Sequence, residues 1–307
     1  MTRSANLRRI GLLAPAGPPL DAERLERGLR HLEDRGVELV RPRSSYPVTG
    51  FLAGSDDARL AEFHALCREP DIDTIFCVRG GYGTLRLLDQ IDYDLAAARP
   101  RVLVGYSDIT ALQLALFTRS GWRGVSGPMV GVEWPEPEAD WESQLWQLLE
   151  GESAVSFASL DGSRPSTLRA GTAEGPLLGG NLATLVRLVG TPYLPDLRGC
   201  LLFLEDVGEV PYRLDALFAQ LKLAGHLEGL AGVILGAFTD SDPPHNRPSF
   251  SVDEVLQHYF GGASYPVVSD WNYGHFPRKM SLPIGPRARL VADPAAATLQ
   301  LLEPLRI

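Results

Sequence analysis

The chain has 307 residues, of which 45 % are hydrophobic and 22 % charged, a globular composition that excludes disordered, collagen-like and coiled-coil proteins. Its length predicts about two domains. With 29 basic and 38 acidic residues the formal charge is −9, which argues against a sequence-independent grip on nucleic acid and fits an enzyme acting on small molecules.

Arg3, Arg8 and Arg9 precede the apolar run Ile10-Gly-Leu-Leu-Ala14, and Pro15, Pro18 and Pro19 follow at once. The run is too short for a signal peptide, and no run approaches the ~18 residues of a membrane span. Residues 9–14 therefore read as a first buried strand, in a cytoplasmic protein. Cys67, Cys77 and Cys200 are an odd set with no close pairing, which fits a reducing compartment better than a disulfide scaffold. Asp21 is a good N-cap for a helix with the stripe Leu25, Leu29 and Leu32, which Gly36 ends. A strand follows at 37–40. Leu60, Phe63, His64 and Cys67 recur at i, i+3, i+4 and i+7, so another helix lies there. Strands at 74–78 and 101–104 alternate with helices at 84–90 and 109–119. Such alternation implies βαβ units and a parallel sheet of flavodoxin or Rossmann type.

The pattern changes near Trp134. A short helix at 141–149 precedes 151–170, a stretch rich in Ser, Gly, Thr and Arg without a period, which reads as a linker. Beyond it come strands at 176–178, 201–204, 232–236, 266–269, 289–292 and 298–302, with helices at 181–189 and around Leu214, Leu217, Phe218 and Leu221. The predicted organisation is an α/β domain over 1–150, a linker over 151–170, and a β-rich, small barrel-like α+β domain over 171–307. Lysine occurs only at Lys222 and Lys279, which reads as a compositional bias.

Four segments carry chemistry. Cys77-Val-Arg-Gly-Gly-Tyr-Gly-Thr84 runs from a strand into a helix. Gly80, Gly81 and Gly83 permit a tight turn whose amides suit an anion. A dinucleotide site is disfavoured because Arg86 stands at the third glycine position of G-x-G-x-x-G; a purely structural turn is the other alternative. Gly105-Tyr-Ser107-Asp-Ile-Thr110 presents a serine at a strand-to-helix turn, as a nucleophile elbow would. Ile109 replaces the second glycine of G-x-S-x-G, and Ser107 or Asp108 as a plain N-cap is the competing reading. Glu205 and Asp206 end an apolar strand, where they face a cleft or merely solvent. His275, between Gly274 and Pro277, is the histidine best presented by a loop, although a lone loop histidine is commonly unremarkable; His245 lies in a polar Pro-rich loop. Together, Ser107, His275 and Glu205 supply a nucleophile, a base and a carboxylate to orient it, from both halves of the chain. His64, Cys67 and Cys77 lack a second ligand pair, so no metal site is expected, and no cofactor either.

These motifs, with Arg79-Gly-Gly-Tyr-Gly83, Leu178-Gly-Gly-Asn-Leu182 and Leu204-Glu-Asp-Val-Gly-Glu-Val-Pro-Tyr-Arg213, resemble the LD-carboxypeptidases of murein recycling, a serine peptidase family that also contains microcin C immunity hydrolases. The resemblance spans nearly the whole chain, from Ala14-Pro15 to Ile284-Gly285. It implies a triad of Ser107, Glu205 and His275 and an oxyanion hole from the amides of Asp108 and Gly81, with Gly80 a near alternative. It also implies a groove between two domains, a homodimer, and cleavage of the amide between meso-diaminopimelate and a terminal D-alanine. Arg79 and Arg213 are candidates for the substrate's free carboxylate, and Gly80, Tyr106 and Asn181 for further contacts. Ala216 stands where members often have Arg, a change that bears on specificity. Two rival readings remain. One is an immunity-type hydrolase of peptidyl or aminoacyl sulfamoyl-adenylates, with Trp271 or Tyr273 stacking on adenine. The other is a two-domain ligand-binding protein without chemistry. Membrane and nucleic-acid partners are not expected.

Overall fold

The computed structural model describes residues 9–305 except 43–45, 153, 154, 156, 158, 161 and 245–247. Arg3, Arg8 and His245, and part of the stretch expected to be a linker, lie outside the described residues.

The first half builds a sheet from β1 (Arg9–Leu13), β2 (Glu38–Val40), β3 (Thr74–Cys77), β4 (Val102–Val104) and β5 (Arg123–Ser126). These strands pair in parallel in the order β5-β4-β3-β1-β2, the flavodoxin-like arrangement. Their runs are short and apolar because both faces are covered. Helix α1 (Ala22–Asp34) is capped by the Asp21 carboxylate, which accepts from the amides of Glu23 and Arg24. Its stripe of Leu25, Leu29 and Leu32 is buried, which contributes roughly 1.5–3 kcal/mol per side chain. Helix α2 (Asp56–Arg68) carries His64, whose Nε2 accepts from the amide of Asp92, and buried Cys67. Helix α4 (Ile109–Ser120) is buried on nearly every side from Ile109 to Leu116. A helix apolar all round must be enclosed, and α4 packs against β5 on one side and against the second sheet on the other.

The second sheet is mixed, in the order β13-β12-β7-β8-β9-β10-β6. It comprises β6 (Ser166–Arg169), β7 (Gly171–Asn181), β8 (Leu201–Val207), β9 (Gly232–Thr239), β10 (Val267–Ser269), β12 (Arg287–Ala292) and β13 (Thr298–Leu301). Helices α5 (Ala139–Leu149), α6 (Leu182–Val186), α7 (Pro211–Leu223) and α8 (Val252–Phe260) complete the chain, with the single turn α3 (Tyr93–Ala97) in the first half. The architecture is thus α/β with a parallel sheet followed by a β-rich α+β part, as the sequence predicts. One strand crosses over: β11 (Leu282–Ile284) runs antiparallel to β5 and closes the edge of the first sheet.

Three local expectations are corrected. The end of the expected linker folds as β6, an edge strand paired with β10; Leu168 is its one apolar residue, so no hydrophobic alternation marks it. The helix expected at 84–90 is a 3-10 turn at Thr84–Arg86, because Gly83, at φ +126°, swings Thr84 towards Asp108 instead of opening a longer helix. Asp108 is not a side-chain cap of α4 either; its carboxylate is used elsewhere.

Candidate active site

Ser107 stands between β4 and α4 with φ +65°, a left-handed conformation that a non-glycine residue rarely adopts. Neighbouring contacts hold it there. Gln113 Nε2 donates to the carbonyls of Leu103, Gly105 and Val125, at 3.1, 3.0 and 2.9 Å, pinning the strand end beneath the turn. Gly105 is needed because a Cβ there would lie 3.0 Å from the Cβ of Cys77. The turn has the sharp strand-to-helix geometry of a nucleophile elbow, without the second glycine of the usual motif.

The Gly-rich loop after β3 lies against this serine. A Cβ on Gly80 would come within 3.1 Å of Ser107 Cβ and 3.5 Å of its Oγ. The loop is tied on both sides. Gly17 N donates to Gly80 O at 3.0 Å, and Arg79 Nη1 to Pro18 O at 3.2 Å. On the other side Thr84 N donates to Asp108 Oδ2 at 2.9 Å, and Thr84 Oγ1 to Asp108 O at 2.7 Å. Burial raises the Asp108 carboxyl above its ordinary value despite the Thr84 bonds. Among the described residues the amides of Gly81 and Asp108 donate to no acceptor. The crevice outside β1 and β3, where the strand order reverses, is where open α/β sheets bind ligands.

Glu205 is fully buried within β8, and its Oε2 lies 2.6 Å from His275 Nδ1. A carboxylate on Nδ1 fixes one imidazole tautomer and frees Nε2. Glu205 Oε1 is approached by Asn181 Nδ2 at 3.4 Å, and the same amide donates to Asp206 Oδ1 at 2.9 Å. Asp206 also accepts from the amides of Ala183 and Val207, and burial raises its carboxyl. The strand end is therefore an ordered polar cluster and not a solvated terminus. It connects to the elbow: Asn181 N donates to Thr110 Oγ1, one turn beyond Ser107, at 3.0 Å.

The His275 ring meets Tyr106 edge-on at a centroid distance of 4.9 Å. Both line a cleft of about 350 Å³ with Arg24, Glu133, Glu136 and Val207. A larger cavity of about 810 Å³, bordered by Asp215, Phe250, Asp253 and Asp270, holds neither Ser107 nor His275.

The remaining expectations divide. Asn181 is buried and orients Glu205 and Asp206. Arg213 is exposed on α7, 3.7 Å from Glu209. Arg79 has its guanidinium on the Pro18 carbonyl. Trp271 and Tyr273 are each 1 % exposed, so neither offers a face for stacking on adenine, which corrects that expectation. Sequence reasoning missed Arg24, Glu133 and Lys279, which sit on a helix face or in irregular segments without motif character. Lys279, one of only two lysines, was the available signal.

A sequence profile described as the LD-carboxypeptidase N-terminal domain matches residues 10–127, and one described as the LD-carboxypeptidase C-terminal domain matches residues 174–290. The chain belongs to the LD-carboxypeptidase family. It is, with that family, an enzyme of the serine carboxypeptidase class. It is 35 % identical over 298 residues to the probable murein peptide carboxypeptidase of Bacillus subtilis, covering 95 % of this chain and 91 % of that one. It is 28 % identical to the microcin C7 self-immunity protein of Escherichia coli, covering 92 % and 90 %. The crystal structure of muramoyltetrapeptide carboxypeptidase from Oxalobacter formigenes superposes with a TM-score of 0.85 at 29 % identity, over 95 % of this chain and 98 % of that one. No group of three or more His, Cys, Asp or Glu suited to a metal occurs among the described residues, and no helix there is long and apolar enough to cross a membrane.

Proposed function

We propose that this protein is an LD-carboxypeptidase that hydrolyses the amide between meso-diaminopimelate and the terminal D-alanine of murein tetrapeptides, in peptidoglycan recycling, with Ser107, His275 and Glu205 as its triad. The observation that carries this reading is the 2.6 Å contact between Glu205 and His275 at a cleft beside the strained Ser107 turn. His275 Nε2 takes the proton of Ser107 Oγ as that oxygen attacks the scissile carbonyl. Glu205 stabilises the imidazolium that forms. The amides of Gly81 and Asp108 bind the tetrahedral oxyanion, each contributing about 3–4 kcal/mol. His275 then passes its proton to the D-alanine nitrogen as the C–N bond breaks. Water, deprotonated by His275, attacks the ester and releases the shortened peptide and Ser107.

The substrate's free carboxylate needs a cation. Arg24 lines the cleft, held by Nη2 on Val132 O at 2.7 Å and Nη1 on Glu136 Oε1 at 3.1 Å. We assign it that contact in place of Arg79 or Arg213, because a ligand carboxylate can displace the exposed Glu136 from the guanidinium fork. Arg24→Ala is expected to raise KM about tenfold or more with kcat within about threefold, since one charge-assisted contact is worth about 1.5–3 kcal/mol. An unchanged KM removes Arg24 from the site. The activity itself is tested by incubating the protein with L-Ala-D-Glu-meso-diaminopimelate-D-Ala and with its L-alanine-terminated isomer. Selective release of D-alanine supports the reading; no release, with hydrolysis of an aminoacyl sulfamoyl-adenylate instead, overturns it.

A further inference from the structure

Of the 29 Lys and Arg residues only Lys222 and Lys279 are lysine, and Lys279 is buried, 2 % exposed. Its Nζ donates to Glu133 Oε1 and, at 3.1 Å, to the carbonyl of Phe276, the residue after His275. It also lies 4.0 Å from the centre of the Tyr106 ring. The Tyr106 hydroxyl donates to the same Glu133 oxygen at 2.8 Å, while Glu133 Oε2 accepts from Met129 N at 2.9 Å. Tyr106 precedes Ser107, and its ring abuts His275. One buried cluster thus joins the backbone on either side of the site, between an elbow built by the first sheet and a histidine loop that follows β10 of the second. A compact ammonium with three donors fits between a carboxylate oxygen, a carbonyl and a ring face. A planar guanidinium, whose donors point in a fixed fork, matches that arrangement less well.

Buried ion pairs contribute little net stability, because desolvation offsets their attraction. Their firmer contribution is fixed geometry, and a base displaced by about 1 Å can cost a hundredfold in rate. We propose that Lys279, Glu133 and Tyr106 are positioning residues that set the His275 imidazole against Ser107. This rests on the triad reading above.

The test separates positioning from stability. Lys279→Met and Glu133→Gln each leave one partner buried without its counterpart and are expected to lower the melting temperature. The double variant leaves no unpaired charge and is expected to regain most of that stability. Positioning predicts that the refolded double variant still shows kcat at least tenfold below wild type, with KM within about twofold. Tyr106→Phe, which keeps the ring and removes only the hydroxyl bond, is expected to lower kcat by a smaller factor with no loss of fold. A readout that needs no substrate is the low-field proton resonance of the His275–Glu205 hydrogen bond, assigned by its loss in His275→Ala. The double variant should shift or broaden it. A stable double variant with wild-type kcat and an unmoved resonance overturns the proposal. If the wild type releases no D-alanine, the functional reading fails, and the resonance alone decides whether this cluster positions His275.

Discussion

Ser107 is held at φ +65°, and a left-handed backbone costs an L-residue about 1–2 kcal/mol. Ser107→Gly relieves that strain, offset in part by the freedom glycine gains in the unfolded chain. The variant is expected to be inactive and more stable than wild type by up to about 1 kcal/mol in urea unfolding; a fall in stability would show that the turn is not strained. Asp108 allows a pH test. Its folded carboxyl binds a proton more readily than the ordinary value of 3.8, through burial. Its contribution is therefore fully present below the unfolded pKa and is lost as pH rises through the folded one. Asp108→Asn keeps an acceptor for Thr84 N and cannot ionise. The melting temperature of the variant relative to wild type should thus be higher at pH 7 than at pH 4, as thermal scans at the two values would show; a difference independent of pH contradicts the assignment. Of the individual residues, Ser107, Glu205 and His275 stand out in the sequence as candidates because each lies at a strand end or in a glycine-flanked loop. Asn181 stands out only as part of a glycine-rich motif, whereas the pairing of Glu133 with Tyr106 and Lys279 joins residues 27 and 146 apart, which no local pattern marks.

Among the elements, β7 does most to join the turn that carries Ser107 to the strand that carries Glu205, through Asn181. Its end, Gly179-Gly180-Asn181, passes between Phe203 of β8 and Thr110 of α4. A Cβ on Gly180 would fall 2.4 Å from Thr110 Oγ1, in a backbone at φ +140°. Gly180→Ala must therefore push β7 from α4 and carry Asn181 away from Glu205. We expect a loss of more than about 2 kcal/mol, from overpacking plus backbone strain, measured by urea unfolding; a change below about 0.5 kcal/mol would mean the contact is soft. β1, β3, β4, β8 and β9 were legible as apolar runs and α1 from its Asp21 cap and leucine stripe, whereas α8 was not read despite its Ser251–Glu254 capping box. β5, with a single large apolar residue, and the polar edge strand β6 were not either, because their partners define them and not their own side chains.

At the scale of the molecule, the division into an α/β half and a β-rich half follows the alternation of predicted elements. What the sequence does not disclose is the return of β11 to pair with β5, a contact between residues more than 150 apart that local periodicity cannot encode. With α4 enclosed between the sheets, that return ties the two halves into one frame, across which the proposed nucleophile and its base would have to meet. The central claim is that Ser107 and Glu205, one from each half, act in a single reaction. It is tested most directly by D-alanine release from the murein tetrapeptide by wild type, Ser107→Ala and Glu205→Gln, each verified as folded. The account predicts release by wild type, a fall of about 10⁴-fold in kcat for Glu205→Gln and a fall of about 10⁶-fold for Ser107→Ala. Turnover by either variant within tenfold of wild type would contradict it.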